Sequence, residues 1–121
     1  MFLHMSQGYP TGVICDTAGA VVGFGLLRAH NPLPAFAHTA EASYFIHPNH
    51  TAKLLGKMLL ATLEEGARAR GITTLLANIS SLNPGSIAFH RRNGFRECGR
   101  FLNVGRKNGQ AFDTVWMQKM L

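Results

Sequence analysis

The chain has 121 residues, 46% of them hydrophobic and 15% charged, with a formal net charge of +6. Such a chain suits one compact domain with a real core and is too apolar to be disordered. The basic residues are scattered over Arg68/Arg70, Arg91/Arg92/Arg96/Arg100 and Arg106/Lys107 with no aromatic-rich RNA motif beside them, which argues against a nucleic-acid partner. Cys15 and Cys98 lie outside any Cys-x-x-Cys pattern, and the six histidines lack metal-ligand spacing, so no metal is expected and the cysteines read as free thiols. No apolar run is long enough to cross a membrane, and the N-terminus lacks the basic start and apolar stretch of a secretion signal. The expected location is the cytoplasm.

Residues 1–10 show no period and end in the turn composition Gly8-Tyr9-Pro10. Gly12–Cys15 and Ala20–Leu27 are apolar runs around Asp16-Thr17-Ala18-Gly19, a β-hairpin signature. Gly23 and Gly25 inside the second run mark either a close backbone approach or plain tolerance. Arg28 to Thr39, with Pro32 and Pro34, is a loop. Ala40–Ile46 is apolar to its end, as in a central strand buried on both faces. Pro48 stops it, and an amphipathic helix follows with Leu55, Leu59 and Leu63 four apart, widened by Met58, Leu60 and Ala67. Lys57, Glu64, Glu65 and Arg68 fall on its polar side, and Gly71 closes it. Ile72–Ala77 predicts a strand and Asn78–Leu82 a polar loop. Asn83-Pro84 is a helix start, with Asn as N-cap and Pro first inside, and the helix ends at Asn93-Gly94. Phe95–Phe101 and Ala111–Met120 predict strands around a basic loop, Val104–Gln110. The order β-β-β-α-β-α-β-β describes a mixed α/β (α+β) domain with helices packed on a sheet.

The stretch Glu41–Glu65 joins a strand directly to a helix N-terminus. The first backbone N–H groups of a helix have no partner inside it, and the helix dipole favours negative charge there, so the turn around His50–Gly56 is a ready anion site.

Three segments give that anion an identity. They are Thr39-Ala40-Glu41-Ala42-Ser43-Tyr44-Phe45-Ile46-His47-Pro48-Asn49-His50, then Asn83-Pro84-Gly85-Ser86-Ile87-Ala88-Phe89-His90-Arg91-Arg92-Asn93-Gly94-Phe95, then Val104-Gly105-Arg106-Lys107 with Asp113–Gln118. Together they resemble the GCN5-related N-acetyltransferase superfamily, within it the phosphinothricin and methionine sulfoximine acetyltransferase branch, over roughly residues 12 to 120. The resemblance implies a mixed, mostly antiparallel sheet and transfer of an acetyl group from acetyl-CoA to the primary amine of a small molecule. It places the pantetheine arm along Phe45, Ile46 and His47, where the strand splays from its neighbour. It places the pyrophosphate on Thr51, Ala52, Lys53, Leu54, Leu55 and Gly56. Asn83 and the nearby Ser86 match positions that bind the cofactor arm. Glu41 matches the general base, His90 the acid that protonates the departing thiolate, and Arg106 and Lys107 could meet an acidic acceptor or a CoA phosphate. Imidazole suits its role near neutral pH.

Two departures from the family pattern stand out. The family's Arg/Gln-x-x-Gly-x-Gly/Ala turn falls on Thr51–Gly56, so Leu54 stands where the family has a glycine that lets the backbone approach phosphate. The family also opens with a strand and one or two helices, whereas about ten residues precede the first hairpin here. The expectation is therefore a single N-terminally shortened domain over residues 1–121, with an uncovered sheet edge that favours a homodimer. A degenerate, non-catalytic binding module with weak or no CoA binding is the competing expectation, and a ribosome-associated or nucleic-acid domain rests on charge alone.

Overall fold

The computed structural model describes residues 2–6, 8–46 and 53–121. The predicted hairpin forms as β2 (Tyr9–Cys15) and β3 (Val21–Ala29). Asp16 organises its turn: one carboxylate oxygen accepts the N–H groups of Ala18 and Ala20, both at 2.9 Å. An additional strand, β1 (Phe2–Ser6), lies antiparallel to β2 in the stretch expected to be irregular. From Tyr9 onward the expected order holds: β4 (Thr39–Ile46), α1 (Lys53–Ala69), β5 (Thr74–Ser80), α2 (Pro84–Arg92), β6 (Arg96–Lys107) and β7 (Gln110–Met120).

Two expected boundaries move because of tertiary pairing. Asn78 to Ser80, polar enough to read as loop, complete β5 because β7 pairs with them. The stretch expected as a basic loop is mostly strand: β6 runs to Lys107, with irregularities at Glu97/Gly99 and Phe101/Gly105, and turns back at Asn108-Gly109. Asp113 holds the second irregularity, accepting the N–H of Asn103 at 2.9 Å and an Arg100 guanidinium N–H at 3.0 Å.

The seven strands form one sheet in the order β1-β2-β3-β4-β5-β7-β6. Neighbours are antiparallel except β4 and β5, which are parallel at its centre. α1 covers the β2–β3 part of the sheet and α2 lies against β5 and β6. Leu59, Leu60, Leu63 and Ala67 of α1 are buried against Leu27, Ala40, Leu75, Val115 and Met117. Deleting one such leucine side chain costs about 2–5 kcal/mol. Gly25 is what lets this helix sit so low: a Cβ there would meet Leu63, Tyr44 and Leu59 at 3.0–3.2 Å. At the other end of α1, Gly71 has φ +85°, as expected of a residue just past a helix.

Two helix positions differ from the amphipathic pattern. Met58, expected in the apolar stripe, is exposed, and Glu64, expected on the polar side, is buried. Glu64 is inside because Lys119 of β7 reaches it, Nζ to Oε2 at 2.6 Å. β4 likewise is not buried on both faces: Phe45 stands out beside Phe24, ring centroids 6.0 Å apart.

Candidate active site

β4 and β5 pair at Thr39–Thr74, Ala40–Leu75 and Glu41–Leu76, and the parallel ladder among the described residues ends there. Beyond that point β4 stays with β3 and β5 stays with β7. The two strands part, and a wedge opens in the middle of the sheet. A cavity of about 210 Å³ fills the wedge, lined by Ala42, Ser43 and Tyr44 from one side, Ala77 to Ser80 from the other, and Asn83, Ser86 and His90 from α2. Ligands of sheets with parallel strands bind where neighbouring strands diverge.

α2 owes its position to its start. The Asn83 side chain accepts the Ser86 N–H at 3.1 Å, the N-cap expected from Asn-Pro. Two turns on, His90 points inward and is buried at 3% exposure. Its Nδ1 lies 2.7 Å from the Ser86 carbonyl oxygen. A carbonyl only accepts, so Nδ1 carries the proton and Nε2 presents a lone pair. That lone pair accepts the hydroxyl of Tyr44. The two rings are stacked at 5.3 Å and 15°, and Phe95 closes edge-on against the imidazole at 4.9 Å. Burial holds the imidazole below its ordinary pKa, partly offset by the Ser86 carbonyl, so His90 is neutral at pH 7. Burial, with the Glu64 charge adding to it, pushes the Tyr44 phenol well above its ordinary value.

Side chains alternate along a strand, so Glu41 and Ser43 face away from Ala42 and Tyr44. Glu41 accepts Arg28 Nη2 at 3.2 Å through one oxygen and faces His30 Nδ1 at 2.9 Å through the other. Arg28 Nη1 also donates to Ser43 Oγ at 3.2 Å, tying this cluster to the cavity wall. The carboxylate is thus neither an isolated surface group nor a buried one; it is anchored by two partners on the more open face.

Of the residues expected from sequence, the structure brings Asn83, Ser86 and His90 together at the cavity and sets Glu41 one residue from its wall, at Ala42. Phe45 and Ile46 continue β4 beyond that wall. Lys53, Leu54, Leu55 and Gly56 form the first turn of α1, with Leu55 packed against the core. His47, Thr51 and Ala52 lie outside the described residues. Arg106 and Lys107 are exposed at the end of β6, paired with Ala111 and Gln110, and do not line the cavity. Sequence reasoning missed Tyr44, Arg28 and His30. The antiparallel register of β3 with β4, which sets Arg28 opposite Glu41, is the signal that could have found the second. Among the described residues no group of three or more His, Cys, Asp or Glu side chains is placed to hold a metal.

Comparison with known proteins matches residues 2–95 to the acetyltransferase (GNAT) family. The chain is 40% identical over 112 residues to the L-methionine sulfoximine/L-methionine sulfone acetyltransferase of Pseudomonas paraeruginosa, covering 93% of this chain and 65% of that protein. It is 34% identical to the L-amino acid N-acyltransferase MnaT of Escherichia coli, covering 94% and 66%. Among solved structures, a GNAT superfamily phosphinothricin acetyltransferase from Sinorhizobium meliloti in complex with AcCoA superimposes with a TM-score of 0.87 at 35% identity, covering 93% of this chain and 61% of that one. The chain therefore spans just under two thirds of the length of the curated relatives it matches.

Proposed function

The chain belongs to the acetyltransferase (GNAT) family, and from that premise we propose that it transfers an acetyl group from acetyl-CoA to the primary amine of a small, amino-acid-like molecule. The observation that carries this reading is the wedge between β4 and β5, with Asn83, Ser86 and His90 gathered on it. Where β4 leaves β5, its inner backbone edge has no strand partner among the described residues and can pair with an extended amide chain, which is what a pantetheine arm offers. The first turn of α1, Lys53 to Gly56, follows β4 in the chain and offers backbone N–H donors for a pyrophosphate, with Thr51 and Ala52 just before it in sequence. In this reading Phe45, Ile46 and His47 line the arm, and Asn83 and Ser86 meet it from the other wall.

Acetyl transfer to an ammonium must remove two protons from nitrogen and return one to the departing sulfur. Glu41 takes the first proton, directly or through water, on the side open to solvent. His90 serves the sulfur. The relatives named above act on amino acids and their analogues, which supports an acceptor bearing a carboxylate beside its amine. The exposed apolar residues Phe101, Leu102 and Val104 on edge strand β6 support a homodimer. The free cysteines Cys15 and Cys98 accord with a cytoplasmic location, and no helix among the described residues is long and apolar enough to cross a membrane.

The test is thiol release from acetyl-CoA over a panel of amines that includes methionine sulfoximine, phosphinothricin and simple amino acids. Amine-dependent release is expected. No release, together with no calorimetric heat at millimolar acetyl-CoA, would leave the non-catalytic binding module as the better reading.

A further inference from the structure

We propose that Tyr44 is the relay through which His90 exchanges protons with the cleft, and that the Tyr44–His90 pair carries the second amine proton from nitrogen to the CoA sulfur. The inference rests on the acetyl-transfer reading above and deepens it.

The starting point is that His90, as it stands, has no proton to give to a thiolate. Its Nδ1–H is committed to the Ser86 carbonyl, and its Nε2 is an acceptor occupied by the Tyr44 hydroxyl. An acid at this position must first be loaded. Tyr44 is the group that can load it, since it lines the cavity and its own proton already points at Nε2. When an amine attacks the thioester, its nitrogen becomes cationic and must shed a proton. As Tyr44 Oη takes that proton, the hydroxyl proton it held passes to His90 Nε2. Tyr44 ends neutral and His90 ends as an imidazolium, still bonded to Ser86 through Nδ1. When the C–S bond breaks, the electron pair stays on sulfur, the thiolate takes a proton from Tyr44 Oη, and Nε2 returns its proton to Tyr44. The pair is restored, and one proton has moved from nitrogen to sulfur. At no stage is a free phenolate required, which matters because the phenol is buried near the Glu64 carboxylate. Among the described residues Glu64 of α1 is the charged group that acts on Tyr44, and its ion-pair partner Lys119 of β7 offsets its charge.

The experiment is Tyr44→Phe, assayed with two acyl donors in the presence of a saturating amine. One donor is acetyl-CoA. The other is the acetyl thioester of an aryl thiol, whose thiolate is stable enough to leave unprotonated, after which the strongly acidic N-protonated amide sheds its proton to water without Tyr44. Tyr44→Phe is expected to lose about 100-fold in kcat with acetyl-CoA, a typical contribution of general acid–base catalysis, and several-fold at most with the aryl thioester, while calorimetric binding of acetyl-CoA is unchanged. Equal losses with both donors, or no loss with either, would overturn the relay. Should the variant not fold, the wild-type protein carries the same test. A solvent deuterium isotope effect is expected with acetyl-CoA and a much smaller one with the aryl thioester; equal effects would overturn the proposal. If the wild-type protein releases no thiol with any amine, the acetyl-transfer reading itself fails, and that outcome is separate from wild-type turnover that Tyr44→Phe leaves intact.

Discussion

Two proton-handling clusters meet on the single strand β4, and they differ in almost every physical respect. Glu41 sits on the more open face with a guanidinium and an imidazole as partners, and Arg28 and His30 are themselves part-exposed. Tyr44, three residues on and on the opposite face, is half-buried and stacks on the buried, neutral His90. Strand alternation alone produces this division, since odd and even positions of β4 look into different media. The chemistry has a use for both media. A proton bound for solvent is best taken by a group in contact with solvent, and a proton that must be returned to sulfur is best kept where water cannot exchange with it.

The largest way to break the comparison is to put an unpaired charge on the buried side. Lys119→Met leaves Glu64 buried without its partner, which should cost about 3 kcal/mol in urea denaturation, and Glu64→Gln combined with it should recover most of that loss. Next is the open side: Glu41→Gln should lower kcat/KM about 100-fold at pH 7, and the deficit should shrink above about pH 9, where an α-amine has lost its proton unaided. The Tyr44→Phe deficit should not shrink over the same range, because attack makes the nitrogen cationic whatever the amine's starting state and the sulfur still needs a proton. Parallel profiles for the two variants would show that the clusters do one job. The smallest effect is expected at Gly25. Gly25→Ala places a methyl against Leu59, Leu63 and the Tyr44 Cβ and should destabilise by about 1–2 kcal/mol, measurable as a lowered Tm.

Most of the fold is legible in the sequence because its signals are local. The Asp16 turn, the leucine spacing of α1, Gly71 and the Asn83-Pro84 start each specify a neighbour within a few residues. What escapes is set at long range. β1 has no alternation in its residues and is a strand because β2 pairs with it. β6 continues past the irregularity at Asn103 because β7 pairs with it on both sides, at Phe101 and Gly105, and Asp113 takes the Asn103 N–H, although Asn103 and Gly105 both favour turns. The site divides in the same way. Asn83 and His90 are readable as cap and helix residues, whereas Tyr44 passes for one more apolar strand residue. Its partner lies 46 positions away, so nothing in its own stretch marks it. Glu64 is misread for the same reason, since the lysine that admits it to the core is 55 positions distant.

Nitrogen-15 NMR of the His90 imidazole in the wild-type protein tests the division of labour on β4 most directly, because it needs neither substrate nor variant. At pH 7 the expected result is a neutral ring with the proton on Nδ1 and Nε2 as an acceptor, its midpoint of titration lying below the ordinary histidine value near 6.5. An imidazolium at pH 7, or a neutral ring with its proton on Nε2, would contradict it.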